Sequence, residues 1–336
     1  FNYGGFHRLM KMMEGFLAGQ GDVKKWDKYL NSIFRMNCKK IRLRQYRGSN
    51  FPKYKRQMDW MYEHEVKSHI LLPWGQVVLM SWYMCSGSVL TTSDNTLSHM
   101  QIALAYVKYN EKPLGRRITT WREALSVIMW FLYADDHLFR VSMKFDFLTS
   151  FTRRSDFYKQ CGFNLKEEDD KVVSGSPIGL TFLGAKCMQI GGYYVPAYNI
   201  GRVWSSTVYE GPHGELQPIN FVAKVRSLLL LLTGHGEIIF NYYRNFVVRR
   251  VISYFDKHYM GWRRQKPSEE FRISGIPECP TFEWAFAFWT GVEASGINDP
   301  ISGVIKKEEE SIPLGTNNTK TEFEKGIGWS FALYEL

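Results

Sequence analysis

Two runs near the middle of the chain, LSVIMWFLY (125–133) and LFRVSM (138–143), are apolar over strand lengths. The first is apolar almost throughout, which predicts a strand buried on both faces. The same patterning predicts a short helix over Gly5–Phe16 and a strand-like approach ending at Asp22. It predicts strand and loop in HILLPWGQVVLMSWYMCSGS (69–88) and a helix from Thr92 to about Tyr109, with Leu97, Ala103, Leu104 and Val107 on its buried face. A helix follows near Phe145–Cys161, then strands in IGLTFLGAKCMQIGGYYVPAY (178–198). Beyond Pro218 the pattern turns helical, with aromatic-rich runs over Ile238–Tyr259 and Phe282–Ala294 and a polar tail after Gly296. This order predicts an α+β domain followed by a mainly helical one, divided near residue 207.

Between the two apolar runs stand Asp135 and Asp136. Adjacent acids are common in turns. At the mouth of a buried hairpin, however, two carboxylates repel each other and resist ionising unless a cation neutralises them. A hard divalent ion with oxygen ligands, Mg2+ first, is the natural partner.

Charge narrows the picture. The 336 residues carry a formal net charge of +10, and 45% are hydrophobic, enough for one large globular unit or two closely packed ones. From Lys28 to Arg56 there are ten Lys or Arg and no Asp or Glu. Such a run reads as a solvated loop, but the interleaved Tyr46, Phe51 and Tyr54 favour nucleic acid, where phosphate pairing and base stacking want that mixture. The five cysteines are widely spaced with no CxxC, so neither a zinc site nor a disulfide framework is predicted and a reducing setting fits. SLLLLL (227–232) is too short to span a bilayer. The chain begins at Phe1 without a methionine, as a fragment or processed product would.

A third carboxylate is available upstream. In GDVKKWDKYL, Asp22 stands at a strand end and Asp27 five residues later. Asp22 with Asp135 and Asp136 would complete a two-ion site, whose metals stand roughly 3.5 to 4 Å apart. Between these acids lies CSGSVLTTSDNT (85–96). Its polar residues suit a helix N-cap, but capping alone does not require Ser86, Gly87, Thr91, Asn95 and Thr96 together.

In this order DVKKWD (22–27), SGSVLTTSDNT (86–96), YADD (133–136), GFNLKEEDDK (162–171) and LTFLGAK (180–186) resemble motifs A to E of the viral RNA-dependent RNA polymerases. The resemblance runs from about Gly4 to Ser206. It is closest to the positive-strand, picornavirus-like group, with GGFHRLMK (4–11) and HILLPWGQV (69–77) similar to astroviruses and their relatives. It implies a right-hand polymerase fold: an antiparallel palm sheet with flanking helices, partial fingers and a mainly helical thumb. The implied divisions are palm over 1–27 (motif A) and 82–206 (motifs B to E), a fingers-side segment over 28–81, thumb over 207–296 and a tail over 297–336. With nothing before Phe1, motifs F and G of the fingers are not supplied.

The resemblance implies catalytic roles for Asp22, Asp135, Asp136 and Lys171. Asp22 and Asp135 would ligate two Mg2+ (or Mn2+) ions, with Asp136 in support. Lys171, with Lys166 as the nearby substitute, would protonate leaving pyrophosphate. Asp27 and Asn95, assisted by Ser86, Gly87 and Thr91, would bind the incoming nucleotide and read its ribose 2′-OH. A 2′-OH is both donor and acceptor, so a polar pair that loses its partner discriminates against deoxynucleotides. Lys39, Lys40, Arg42, Arg44, Arg47 and Lys186 would contact RNA. The implied partners are template and primer RNA, NTPs and other viral replication proteins, with membrane association only indirect, in the host cell cytoplasm within replication complexes. Two rival readings stand beside this one. YADD, with Ala134 where this group usually has glycine, is frequent in reverse transcriptases, although those lack SGxxxTxxxN and put a bulky residue where Asp27 and Asn95 would admit a 2′-OH. A non-catalytic RNA-binding protein of polymerase-like shape would have no reason to keep three mutually repelling acids.

Overall fold

The computed structural model describes residues 4–80, 84, 90–208, 218–261 and 280–292. They fall into two compact units, one made of residues 15–176 and the other of 4–14 with 177–292. The division therefore comes at Ser176/Pro177 and not near residue 207, because the strands over 178–198 pack with the helices that follow them.

After α1 (Gly5–Lys11), which belongs to the second unit, the first unit opens with β1 (Leu17–Gly21), β2 (Val23–Lys24) and α2 (Trp26–Tyr29). The basic run that reads as a loop forms two helices, α3 (Ser32–Gln45) and α4 (Phe51–Val66). Asn31 and Asn50 cap them by accepting backbone N–H groups. Then come the hairpin β3 (Ser68–Leu71) and β4 (Val77–Met80), the long α5 (Thr91–Tyr109), a short α6 (Glu111–Leu114) and α7 (Trp121–Val127). A reciprocal capping box between Thr120 and Glu123 starts α7, which takes up the residues before Ile128 that pattern alone assigns to a strand. The unit continues with β5 (Ile128–Tyr133), β6 (Asp136–Val141), a 3₁₀ turn (Met143–Thr149), α8 (Phe151–Gln160), β7 (Asn164–Leu165) and β8 (Lys171–Ser174).

Four of these strands form one antiparallel sheet in the order β5-β6-β1-β8. β5 is its edge, and most of β5 is only half-buried, so burial on both faces does not hold. Helices α5 and α8 cover one face. Ile102, Tyr106 and Val107 of α5 and Phe157 and Tyr158 of α8 pack on Ile128, Phe139 and Val141 of the strands, together with Trp26 and Phe163. On its other side α5 presents Leu97 to Cys38, Ile41, Met58 and Tyr62 of α3 and α4. Fixed on both sides, α5 is the rigid member to which the rest is referred.

The second unit carries a three-stranded antiparallel sheet of β9 (Thr181–Phe182), β10 (Ala185–Ile190) and β11 (Tyr193–Ala197). Its helices are α9 (Ile200–Val208), α10 (Pro218–Leu232), α11 (Glu237–Phe246), which runs through a π-helical turn into α12 (Ser253–His258), and α13 (Phe282–Thr290). Buried Phe240, Tyr243, Trp284 and Phe288 make up much of its interior.

At the centre of the four-stranded sheet Gly19 pairs with Phe139, whose ring lies where a Cβ on Gly19 would sit. Phe139 is fully buried, with the Arg154 guanidinium 4.7 Å from its ring centre, so it has nowhere to move. Gly19→Ala is therefore expected to destabilise the protein by about 1–3 kcal/mol, the cost of overpacking a filled core, read as a lower midpoint in urea unfolding at unchanged slope.

Candidate active site

Asp22 takes its place from two strand pairings. β1 pairs with β6 up to Gly21 opposite His137, so Asp22 comes level with the acids of the β5–β6 hairpin. β2 then pairs with β7, Val23 opposite Leu165, and the register carries on as the Lys166 amide donates to the Asp22 carbonyl at 2.9 Å. The main chain thus delivers Lys166 to Asp22, and its ammonium forms an ion pair with the Asp22 Oδ2 atom. That bond raises the Lys166 pKa. The other carboxylate oxygen, Oδ1, is buried with no hydrogen-bond partner among the described residues.

The hairpin turns in two residues, Ala134 and Asp135, with Tyr133 and Asp136 as the closing pair. Ala134 adopts φ +54°, the left-handed region. Glycine is the usual first residue of a two-residue turn of that kind, and a side chain there costs about 1 kcal/mol or more. The Asp135 carboxyl is pushed above the usual carboxylate range, by burial first and also by the charges of Asp22 and Asp27, against the opposing pull of its own backbone amide and Lys166. That repulsion brings Asp22, Asp27 and Asp135 into one electrostatic neighbourhood. Asp136, half-buried, opens β6 beside them.

Asp27 lies in α2, held from behind where its carbonyl accepts the Met84 amide at 2.9 Å. In front, Asn95 Nδ2 donates to Asp27 Oδ1 at 2.9 Å. Asn95 is buried, and its Oδ1 has no partner among the described residues. Thr91 is the half-buried first residue of α5, whereas Ser86 and Gly87 lie outside the described residues. Two further residues of α5, Thr96 next to Asn95 and His99 one turn along from it, reach the hairpin. Thr96 Oγ1 accepts the Ala134 amide, and His99 Nδ1 faces the Ala134 carbonyl, each at 2.9 Å.

The remaining candidates divide by where their side chains go. Lys171 opens β8 opposite Gln20 and is exposed, so the lysine at Asp22 is Lys166. Arg42 turns inward to Asp94 at 2.7 Å, and Lys39 pairs with Asp59 at 2.6 Å. Lys40, Arg44 and Arg47 stay on the outside of the α3 end, and Lys186 is exposed on β10 of the second unit. Tyr46 and Tyr54 stack on each other with centroids 4.1 Å apart.

The donors suit a hard divalent cation: a buried Asp22 oxygen without a partner, and an Asp135 carboxyl whose ionisation a positive charge would ease. Among the described residues, no three Asp, Glu, His or Cys side chains stand together closely enough to hold an ion as they are. Lys166 provides positive charge at Asp22 instead.

The profile of the viral RNA-dependent RNA polymerase family matches residues 2–252. The non-structural polyprotein 1AB of Turkey astrovirus 1 is 26% identical over 252 residues, which is 71% of this chain and 15% of that polyprotein. The corresponding polyprotein of Ovine astrovirus 1 is 29% identical over 149 residues, 43% of this chain and 10% of the polyprotein. The chain thus spans only a small part of the curated relatives it matches. In fold it is similar to the crystal structure of the RNA-dependent RNA polymerase of a human picorbirnavirus, with a TM-score of 0.54 and 17% identity over 73% of this chain and 44% of that one. An insertion-loop deletion mutant of that polymerase gives 0.57 and 16% over 76% and 48%. The family match over most of the length leaves the reverse-transcriptase reading of YADD behind: the chain belongs to the viral RNA-dependent RNA polymerase family.

Proposed function

We propose that this chain is the catalytic core of an RNA-directed RNA polymerase, adding ribonucleotides to an RNA 3′ end under template direction. In this reading the unit over 15–176 supplies the palm and the base of the fingers, and the helices beyond Pro218 supply the thumb. The work takes place in the host cytoplasm, with template and primer RNA, NTPs and other replication proteins as partners. The observation that carries the reading is the Asn95–Asp27 hydrogen bond beside Asp135, because it would set a sugar-reading pair against the half-buried acids of the hairpin.

Asp22 and Asp135 would hold two divalent ions, with Asp136 supporting them. When bound, Mg2+ or Mn2+ at that place would favour ionisation of the attacking 3′-hydroxyl and neutralise charge on the departing pyrophosphate. The chain's own groups do the rest. Asn95 would keep Asp27 turned to the sugar, and its buried Oδ1, which has no partner among the described residues, would accept from a 2′-OH brought to it. A deoxynucleotide would leave that buried oxygen unsatisfied, which costs about 1–3 kcal/mol. Lys166 balances the Asp22 charge in the absence of substrate. Lys166 would also be the lysine to donate a proton to the leaving oxygen. Exposed Lys40, Arg44 and Arg47 provide a basic surface for RNA phosphates.

Three outcomes test this. Extension of a primed RNA template by the full-length polymerase should depend on Mg2+ or Mn2+ and disappear in Asp135→Ala; equal extension by that variant would remove the metal role. Asn95→Ala should lower the preference for rNTP over dNTP by about tenfold, one hydrogen bond's worth, measured as a ratio of kcat/KM values. Lys166→Gln should slow extension by about a hundredfold, the lower end of general-acid contributions, and by more than Lys171→Gln. The opposite ranking in single-turnover rates would return the acid role to Lys171.

A further inference from the structure

Thr96 and His99 do something that sugar reading and metal holding leave unexplained: between them they hold both backbone polar groups of one residue. Thr96 Oγ1 accepts the Ala134 N–H, and His99 Nδ1 meets the Ala134 carbonyl. A carbonyl can only accept, so Nδ1 carries the proton, and Nε2 is left to accept from the Tyr158 hydroxyl at 2.8 Å. Burial pushes the His99 pKa down to about 4, so the ring is neutral near neutral pH and its tautomer is set by these two partners. Tyr158 is itself fully buried on α8, and the Trp26 ring lies 4.9 Å from the imidazole, so the imidazole is packed on more than one side.

The residue held in this way is the strained one. Ala134 is at φ +54°, at the turn position where glycine would need no support, and the next residue is Asp135. Ordinary hairpin turns are held across their own closing pair. Here the hold comes from one helix outside the hairpin, and that helix also supplies Asn95 to Asp27.

We propose that Thr96 and His99, with Tyr158 behind His99, are positioning residues for Asp135. They keep Ala134 left-handed and so fix the direction in which the Asp135 carboxylate leaves the hairpin. Because one helix carries the clamp and Asn95, the sugar-reading acid and the metal-holding acid are set from a single rigid body. The inference rests on the reading of Asp135 as a metal-holding carboxylate. It also explains how this chain carries alanine where the turn favours glycine: the clamp does what glycine would do unaided.

The test uses the full-length polymerase with Thr96→Val and His99→Phe, each alone and combined with Ala134→Gly. Val107→Ala, a core substitution about two turns beyond His99 on α5 and packed at the open end of the hairpin rather than at its turn, serves as a destabilised control, and Asp135→Asn marks loss of the metal-holding acid. Two readouts need no catalysis: hydrogen exchange of the residue-134 amide, and Mn2+ affinity from the electron paramagnetic resonance signal of the free ion. The third is the split between kcat and NTP KM in primed extension. Thr96→Val and His99→Phe should speed the amide exchange and weaken Mn2+ binding by about tenfold, the effect of one lost hydrogen bond, and should lower kcat while KM changes little. Ala134→Gly should recover most of that Mn2+ affinity in both backgrounds and none in Val107→Ala, since only the clamp variants lose what glycine supplies. Should His99→Phe fail to fold, Thr96→Val, isosteric and half-buried, carries the test alone.

The proposal is overturned if Mn2+ affinity stays at the wild-type value in Thr96→Val while Asp135→Asn loses it. It is equally overturned if Ala134→Gly rescues Val107→Ala as well as the clamp variants. Unchanged Mn2+ binding in Asp135→Asn would overturn the metal reading and this inference with it. A wild-type protein that binds Mn2+ in the predicted pattern yet extends no RNA would defeat the polymerase reading and leave the clamp supported.

Discussion

The ion pair between half-buried Arg42 and fully buried Asp94 fixes where α5 begins, and the site depends on where α5 begins. Asp94 is fully buried in the first turn of the helix, and its Oδ1 accepts from Arg42 at 2.7 Å and from the Tyr62 hydroxyl at 3.0 Å. Burial raises the Asp94 pKa, and Arg42 and Tyr62 pull against that rise, so the carboxylate is tolerable only while both are in place. Removing one partner of such a pair strands a buried charge, which costs about 3–5 kcal/mol. A slip of α5 along its axis would do the same. The pair therefore resists the small translations that would carry Asn95 away from Asp27 and Thr96 and His99 away from Ala134.

The same economy of charge runs through the site. Burial raises the Asp135 pKa, and the charges of Asp22 and Asp27 add to that rise. Lys166 pairs with Asp22, and Asn95 donates a hydrogen bond to Asp27. Among the described residues Asp135 makes no ion pair, and Lys166 only moderates the rise in its pKa. A site of this kind is an unfavourable concentration of like charge held in place by the surrounding packing, and a divalent ion would relieve it.

Much of this is legible in the sequence, and what is not has identifiable physical causes. Asp22 at the end of a strand, the paired acids in a hairpin and the helix carrying Asn95 all follow from local pattern, and the order of five short motifs leads to the family that the comparison finds. The basic run over Lys28–Arg56 reads as a loop because its charge masks the narrow apolar stripe of Cys38, Ile41, Met58 and Tyr62 that makes α3 and α4 helices. Its basic residues also read alike, yet Arg35 is buried against Glu65 and half-buried Arg42 turns in to Asp94 while Lys40 and Arg44 face outward, a division set by tertiary contacts alone. Motif spacing favours Lys171, but the two-residue pairing of β2 with β7 brings Lys166 to Asp22, and so short a pairing has no hydrophobic signature. His99 carries no signal either, since a histidine inside a helix reads as ordinary until the residue opposite it is known. Ala134 is the exception: an alanine where glycine is usual raises a doubt about the turn, and the turn is indeed left-handed there.

The central claim is that Asp22 and Asp135 exist to hold divalent cations, and that Lys166 keeps the place of one of them until it arrives. Anomalous diffraction from crystals of the full-length polymerase soaked in Mn2+ and a non-hydrolysable NTP tests this most directly. The account predicts manganese peaks within coordination distance of oxygens of Asp22 and Asp135, about 2.0–2.3 Å, with the Lys166 ammonium withdrawn from Asp22. Manganese bound away from these two carboxylates, or Lys166 still paired with Asp22 beside a fully occupied metal, would contradict it.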